Sequence, residues 1–234
     1  MPKNQQMKKI TIAIATLFSI ISLNSAMAQQ NHLIPEVGIF NTTNSHLEYC
    51  SKVRKVLFQG LEFRPLARLL ILPSFTPENV VEIEFDRANN KMYVVYQIAE
   101  KMIWNNDNWE QIKLTKIKKE IAKESAQLII KLFQTAVGDT KQSDDERITI
   151  VGENYQLTVQ HASVDGENYI FTANIPIPKI GTTLSPPAES KMGRLVSVGL
   201  QLITLAKSDK ESIEFDTKFK AQIAQLIVDL KTVI

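Results

Sequence analysis

Hydrophobic and polar residues alternate most regularly near the middle of the chain. Apolar residues occupy every second position from Val81 to Phe85, and Asn89-Asn90 separates this segment from an apolar stretch at 92–98. A period of two sends successive side chains to opposite faces of a strand, and paired asparagines suit a tight turn. The pattern therefore predicts a β-hairpin with one face toward water. The carboxylates of that face are Glu82, Glu84 and Asp86.

Other short apolar runs predict further strands. The run at 66–72 ends at Pro73 and is typical of a short buried strand, with a helical turn as the alternative. A later block predicts a three-strand meander whose last turn contains Asp165-Gly166, because glycine tolerates the positive φ of a tight turn. The strands of this block lie at about 147–151, 154–162 and 168–175. Prolines place the segments 72–77 and 175–180 outside any regular ladder.

Apolar residues recur three and four positions apart in four segments, which predicts four helices. The first begins at Ser45 and stops at Gly60, and the second has Asn108 as its N-cap and Gly138 as its stop. The third opens at Ser185, with two prolines in its first turn. The predicted helices span about 45–59, 109–137, 185–207 and 215–232.

These elements together predict an α+β fold. We expect an antiparallel sheet of about five or six strands, in two hairpin or meander blocks, covered on one face by about four helices. Residues 45–234 are expected to form a single domain. Residues 29–44 contain turn-forming and polar residues with little periodicity, and they predict a flexible N-terminal arm.

The first 28 residues predict an export signal. Lys8-Lys9 precede an apolar run from Ile10 to Leu23, and Ala26-Met27-Ala28 follows as a cleavage site. The run is shorter than the roughly 20 residues that cross a bilayer, although an uncleaved anchor is the alternative. We expect cleavage after Ala28, an exported protein in the periplasm or outside the cell, and no transmembrane segment after cleavage.

Charge and cysteine content narrow the classes of partner. Of the 27 Lys and Arg residues three lie within 1–28, so 24 remain against 25 acidic residues, which argues against nucleic acid as a partner. Cys50 is the only cysteine, so no disulfide can form within one chain. We interpret Cys50 as a small buried apolar residue. A disulfide between two chains and a nucleophile activated by His161 are the alternatives.

The sequence contains few residues in patterns that indicate catalysis. Glu82 and Glu84 could act as acid and base or hold a cation, but their alternation with apolar residues favours a solvated strand face. The sequence around His161 favours a structural role over a catalytic one, and the same holds for the two other histidines, His32 and His46. No G-x-S-x-G, phosphate loop or H-E-x-x-H occurs, so we expect no cofactor, no metal and no enzyme activity.

Both tryptophans flank one short polar segment, which is the best candidate for a contact site. Aromatic faces beside amides suit a sugar ring or a protein partner, since stacking and hydrogen bonding act together. In the alternative, structural interpretation, one tryptophan ends a strand and the other opens the helix. The candidate residues are Trp104, Asn105, Asn106, Asp107 and Trp109.

The helix predicted at 109–137 is rich in lysine and could therefore bind an anionic lipid or polymer surface. Glutamates lie between these lysines, however, and this mixture of charges favours a helix exterior that is simply exposed to water.

The leading hypothesis is an exported, non-enzymatic interaction protein that binds a protein or a cell-envelope polysaccharide. A carrier of a small apolar or amphipathic ligand, held between the sheet and the last two helices, is the second hypothesis. A hydrolase that uses Glu82, Glu84 or His161 is the third.

Overall fold

The computed structural model describes residues 31–36, 45–141, 147–152, 155–160, 166–175 and 177–232, with the backbone alone at 45–47, 147–152 and 155–160. The proposed export signal and His161 lie outside the described residues. The strands are β1 Ile34–Pro35, β2 Ala67–Leu72, β3 Asn79–Asp86, β4 Lys91–Ala99, β5 Leu114–Ile121, β6 Arg147–Gly152, β7 Tyr155–Gln160, β8 Asn168–Ile175, β9 Ile177–Leu184 and β10 Ser212–Ile213. The helices are α1 Ser45–Leu57, α2 Lys123–Gly138, α3 Lys191–Lys207 and α4 Thr217–Lys231, with a 3₁₀ turn at Trp109–Gln111.

One mixed sheet of eight strands organises the described part of the chain. Its order is β1-β9-β8-β2-β3-β4-β5-β10, and the short β10 pairs with β5 in the parallel sense while the other neighbours are antiparallel. The α+β class is confirmed. The sheet is larger than expected, because β1, β5, β9 and β10, which the hydrophobic pattern did not identify as strands, join β2, β3, β4 and β8. It is mixed because β10 pairs with β5 in the parallel sense.

The predicted hairpin and the strand before it form the centre of this sheet. β3 and β4 pair along their full length from Asn79↔Ile98 to Asp86↔Lys91, and β2 pairs with β3 on one side and β8 on the other. Regular alternation and the Asn89-Asn90 turn therefore determined the local pairing, and Asn90 adopts the positive φ of 54° that this turn requires.

Helices α2, α3 and α4 cover one face of the sheet and form the larger core. Leu69 of β2 and Phe171 of β8 are buried there with Phe133 of α2, whose ring meets Phe171 edge-on with 5.0 Å between centroids. Gly199 allows α3 to approach the sheet, since a Cβ at that position would lie 2.3 Å from Leu69 Cδ2. The apolar stripes predicted for α3 and α4 face this core.

Helix α1 covers the opposite face and forms a second core. Val53 and Leu57 of α1 are buried against Leu70, Val80 and Ile170, which alternate with the residues of the larger core. The sheet is therefore covered on both faces, and the expectation of a single covered face was wrong. The helix at 45–59 was predicted, but no local pattern states which face of a sheet a helix will cover.

The predicted helix 109–137 was wrong in its first half. Residues Leu114–Ile121 form β5, and the helix begins only at Lys123. Ile117 and Ile121 are four residues apart, which suits a helical stripe but also places both on the same face of a strand. The full-length ladder with β4 decides between the two, and Asn108 makes no side-chain capping hydrogen bond.

The lysines of this segment lie on a strand and contact neighbouring parts of the chain, so they do not form the basic helix face that the sequence suggested. Lys116 Nζ donates to the Gly60 carbonyl at 3.0 Å, Lys118 Nζ pairs with Glu84 at 2.6 Å, and Lys119 Nζ donates to the Ser208 carbonyl. Three of these cations are thus used to tie β5 to its neighbours.

The predicted three-strand meander was also wrong. β6 and β7 pair only with each other as a separate two-stranded sheet, whereas β8 pairs with β2 and β9 in the main sheet. β9 lies where prolines predicted an irregular loop. Among the described residues β1 pairs with β9 at Gly181 and Thr182, and Pro178 has a strand partner on the β8 side, at Asn174. A proline is tolerated at such a position, because no ladder hydrogen bond from its nitrogen is needed on the other side.

Two predicted boundaries change. Leu33 is fully buried and Ile34–Pro35 pair with β9, so part of the predicted arm 29–44 belongs to the sheet. Helix α3 begins after Ser190, whose hydroxyl accepts the Gly193 N–H at 2.9 Å, and not at Ser185. The Ser185 hydroxyl instead accepts the Glu167 N–H at 2.8 Å, which holds it at the end of the β8–β9 hairpin.

Candidate functional site

A small groove lies between α1 and the loop that joins β4 to β5. Its volume is about 160 Å³. The loop contributes Trp104 and Asn105, and the first turns of α1 contribute the other wall. The lining residues are Glu48, Tyr49, Lys52, Ile103, Trp104 and Asn105.

A buried carboxylate fixes the loop side of this groove. Glu78 has no exposed surface, and its side chain accepts the backbone N–H groups of Ile103 at 2.7 Å and Trp104 at 2.9 Å. The Tyr49 hydroxyl donates to the same carboxylate at 2.8 Å. A buried carboxylate is costly unless donors surround it, so these three hydrogen bonds hold helix α1 and the Trp104 loop at one anchor point.

Trp104 is exposed although its backbone is anchored. Its ring lies nearly perpendicular to the Tyr49 ring, with 4.9 Å between centroids and an interplanar angle of 89°, and the residue remains 54% exposed. The pKa of Tyr49 is raised far above its usual value, mainly by burial and secondly by the neighbouring Glu78 carboxylate. The Tyr49 hydroxyl therefore keeps its proton and remains a hydrogen-bond donor at every physiological pH. Trp104 therefore presents part of its indole ring to solvent while its backbone is held in place.

Polar groups surround the indole. Asn105 is exposed and has a φ of 53°, a left-handed conformation that asparagine tolerates better than most residues. On α1, Lys52 Nζ lies 3.0 Å from a Glu48 carboxylate oxygen, in an i,i+4 pair along the groove wall. The groove thus combines an aromatic surface with an amide, a carboxylate and an ammonium group.

The other residues of the predicted contact site, Asn106, Asp107 and Trp109, do not line the groove. Asn106 accepts the Asn108 N–H at 2.9 Å and donates to the Met102 carbonyl at 3.2 Å, which closes the polar turn. Asp107 is exposed. Trp109 packs on the second core, and Lys55 Nζ lies 5.3 Å from its ring centroid. The structure therefore brings Trp104 and Asn105 into the groove and separates Trp109 from it.

Five residues of this region were not part of the contact site predicted from sequence: Glu48, Tyr49, Lys52, Glu78 and Ile103. The i,i+4 spacing of Glu48 and Lys52 indicates that they lie on the same face of a helix, but the surrounding sequence does not indicate that this face lies next to Trp104. Glu78 lies directly after Pro77, and only the folded chain shows that its carboxylate is buried.

A second pocket lies at the edge of the larger core, between α3 and one end of strands β2 to β4, and has a volume of about 210 Å³. Leu200 and Ile203 of α3 form its apolar wall. Lys207 Nζ lies 4.6 Å from the ring centroid of the buried Tyr96, and Glu167 stands on the other side. This pocket lies between the sheet and the third predicted helix, where a carrier would hold its ligand.

The carboxylates considered for catalysis are used in ion pairs. Glu82 is not solvated, contrary to expectation: it is buried, and Arg68 Nη2 lies 2.5 Å from its carboxylate. Burial raises the pKa of Glu82, and Arg68 opposes that rise. Helix α1 and the chain that follows it cover this part of the sheet, and alternation along β3 alone does not reveal such a cover.

Cys50 and His32, whose side chains the structure describes, form no reactive cluster with other described residues. Cys50 is buried as predicted, and burial raises the pKa of its thiol to about 11, with Glu36 adding to the rise. His32 Nδ1 lies 3.3 Å from the Leu33 carbonyl. Within the described ranges, no group of three or more His, Cys, Asp or Glu side chains is arranged to hold a metal ion. The described helices are also too short or too polar to cross a membrane.

Comparisons with known proteins give no significant match to a family model, a curated protein or a solved structure.

Proposed function

We propose that this chain is an exported, non-enzymatic interaction protein whose contact site is the groove at Trp104. One observation supports this most directly: a large aromatic side chain is more than half exposed while its backbone is held by a fully buried carboxylate, Glu78. Export is proposed from the signal-like residues up to Ala28.

Fixed, exposed aromatic residues are effective in recognition. Binding loses free energy when mobile groups are ordered, so a side chain held in place beforehand loses less on association. Tryptophan is enriched among the residues that dominate binding energy. Tyr49 behind Trp104 and Glu78 beneath the loop supply that preorganisation.

The non-enzymatic part of the proposal is supported by the use of the buried carboxylates. Glu78 accepts three hydrogen bonds from the protein itself, and Glu82 is paired with Arg68. Neither carboxylate lines the groove at Trp104 or the second pocket. An interaction role requires only the exposed surface.

Recovery of partners from the extracytoplasmic compartment tests this proposal. The mature chain is compared with Trp104→Ala and with Phe63→Ala, a control that removes another aromatic side chain, 87% exposed, outside the groove. We expect partners, whether protein or polysaccharide, to be lost with Trp104→Ala and retained with Phe63→Ala. Equal recovery by all three proteins would contradict the proposed site.

The second pocket supports one other candidate function, the carriage of a small amphipathic molecule. Its apolar wall and Lys207 would suit an apolar body with an anionic end. Fluorescence of 8-anilinonaphthalene-1-sulfonate tests this with Leu200→Trp, which fills the pocket, and Val228→Trp, a control at an exposed position on α4. Carriage predicts that only Leu200→Trp weakens dye binding, and an equal effect of both variants would exclude it.

A further inference from the structure

We infer that the groove at Trp104 binds one pyranose ring of an uncharged glycan. This inference rests on the proposed function and names the class of ligand for the same groove. It follows from the aromatic surface, the surrounding polar groups, their net charge and the size of the groove.

The aromatic surface suits the apolar side of a sugar. A pyranose ring presents C–H bonds on one side, and these pack on an aromatic face while the hydroxyl groups point outward. Trp104 is 54% exposed, and its ring contacts the Tyr49 ring at an interplanar angle of 89°, so this contact orients the indole before a ligand arrives. Such an arrangement buries apolar area without ordering a mobile side chain.

The polar groups supply both donors and acceptors at the edge of that surface. The Asn105 amide carries two donors and a carbonyl acceptor, and its side chain makes no hydrogen bond to another residue in the part of the chain that the structure describes. Glu48 accepts and Lys52 donates, 3.0 Å apart on the other wall. Hydroxyl groups of a sugar both donate and accept, so they match this mixed set.

The charges of the groove favour an uncharged ligand. Glu48 and Lys52 are the charged side chains that line it, and they form an ion pair with no net charge. An anionic sugar would be attracted by Lys52 but repelled by Glu48, and a cationic ligand would be attracted by Glu48 but repelled by Lys52. Neutral hydroxyl groups hydrogen-bond to both without disturbing the pair.

The size of the groove favours a single ring. A volume of about 160 Å³ accommodates one hexose and is too small for the side chains that a protein interface of ordinary area inserts. The walls are formed by α1 and one loop, and the groove opens to solvent, so further rings of a longer glycan extend outward from the bound one.

Fluorescence of Trp104 provides the test. Trp109→Phe leaves Trp104 as the sole tryptophan, because the chain contains two. The full mature chain is titrated with methyl glycosides of glucose, mannose, galactose and N-acetylglucosamine and with the corresponding disaccharides. We expect at least one glycoside to change the emission saturably, with a dissociation constant on the order of 1–10 mM.

Two variants connect binding to the groove. Asn105→Gly keeps the positive φ while it removes the amide, and we expect it to weaken binding by about tenfold. Phe75→Ala removes an exposed aromatic residue outside the groove, and we expect it to leave the affinity unchanged. Saturation-transfer NMR with Trp104→Ala should show loss of ligand signal, and circular dichroism verifies that each variant folds.

The outcomes separate this inference from the proposed function. If no glycoside of the panel binds, or if Asn105→Gly binds as tightly as the parent, the sugar inference is overturned. Partner recovery that still depends on Trp104 would then retain the proposed function with a protein partner. If recovery is also insensitive to Trp104, both fail.

Discussion

Arg68 and Glu82 stand directly opposite each other on β2 and β3 and form an ion pair that is closed to water. Arg68 Nη2 lies 2.5 Å from the Glu82 carboxylate, and both side chains are buried. The Phe58 ring lies over the guanidinium, with 4.4 Å between the ring centroid and Arg68 Cζ. Arg68 also donates to the Glu62 carbonyl at 2.5 Å. A polar cluster is therefore buried on the sheet face that the alternation of apolar and acidic residues along β3 had predicted to be exposed to water.

Removal of the cation should leave an uncompensated buried charge. We expect Arg68→Met to lower the free energy of unfolding at pH 7 by about 3–5 kcal/mol, because breaking one side of a buried pair exposes the full desolvation penalty of the other. Urea unfolding measures this change. The double variant Arg68→Met, Glu82→Met should recover a large part of the loss, and a double variant as unstable as the single one would contradict this account.

The same variant should depend on pH in a defined direction. The folded-state pKa of Glu82 is already raised, mainly by burial, and loss of Arg68 removes the opposing influence and raises it further. A carboxyl whose folded pKa exceeds its unfolded value, about 4.3, binds its proton more tightly when folded, so its contribution to stability declines as pH rises above that value. We expect the cost of Arg68→Met to be smaller at pH 5 than at pH 7. A cost that grows on acidification would show that burial does not dominate.

Glu78 should control the order of the Trp104 loop. Glu78→Gln replaces one acceptor oxygen by a donor NH₂ group that faces backbone N–H groups, so we expect a loss of about 1–3 kcal/mol. Amide hydrogen exchange at Ile103 and Trp104 should become faster. Glu100→Gln is the matched control, because it makes the same chemical change at an exposed carboxylate near the loop, and its exchange should resemble that of the parent.

Gly193 should not tolerate a side chain. A Cβ at this position would lie 1.9 Å from the Pro187 carbonyl oxygen, which belongs to backbone and cannot move aside as a side chain would. We expect Gly193→Ala to destabilise the protein by about 1–3 kcal/mol despite the better helix propensity of alanine. Gly138→Ala is the control, since the nearest atom to its Cβ, Ile175 Cδ1, is 3.7 Å away. Equal thermal midpoints for the two variants would contradict the close approach.

Cys50 should react only when the protein opens. Its thiol is 2% exposed, and a pKa of about 11 leaves little thiolate at neutral pH. We expect iodoacetamide to label it slowly in native buffer and quickly in denaturant. A cysteine introduced by Phe63→Cys, at a position 87% exposed, should react quickly in both conditions. Mass spectrometry of the labelled peptides distinguishes the two sites, and rapid native labelling at Cys50 would refute its enclosure.

The accuracy of each sequence-based prediction depended on how local its determining contacts were. The β3–β4 hairpin was predicted because its turn and its alternation lie within one short segment. β5 was mistaken for helix because Ile117 and Ile121 satisfy both periodicities, and the ladder with β4 resolves that ambiguity. β9 was missed because a proline within it, Pro178, argues against a strand unless its partners are known, and only the strand order reveals them.

The candidate site shows the same division. Trp104 and Asn105 were identified because tryptophans beside amides are informative in themselves, whereas Glu48, Tyr49, Lys52 and Glu78 were not. The distance in sequence between Tyr49 and Glu78, and between Glu78 and Trp104, leaves no local pattern that connects them. Their association depends on helix α1 covering the sheet face next to that loop.

The sequence by itself determined the α+β class, the central hairpin, the apolar faces of the helices and the burial of Cys50. These properties follow from periodicity, turn chemistry and hydrophobicity, which act over a few neighbouring residues. The tertiary structure decided the strand order, the covering of both sheet faces, the enclosure of Arg68 with Glu82 and the groove at Trp104. Each of these depends on contacts between residues far apart in the chain, because burial and ion pairing are set by what the rest of the fold brings near.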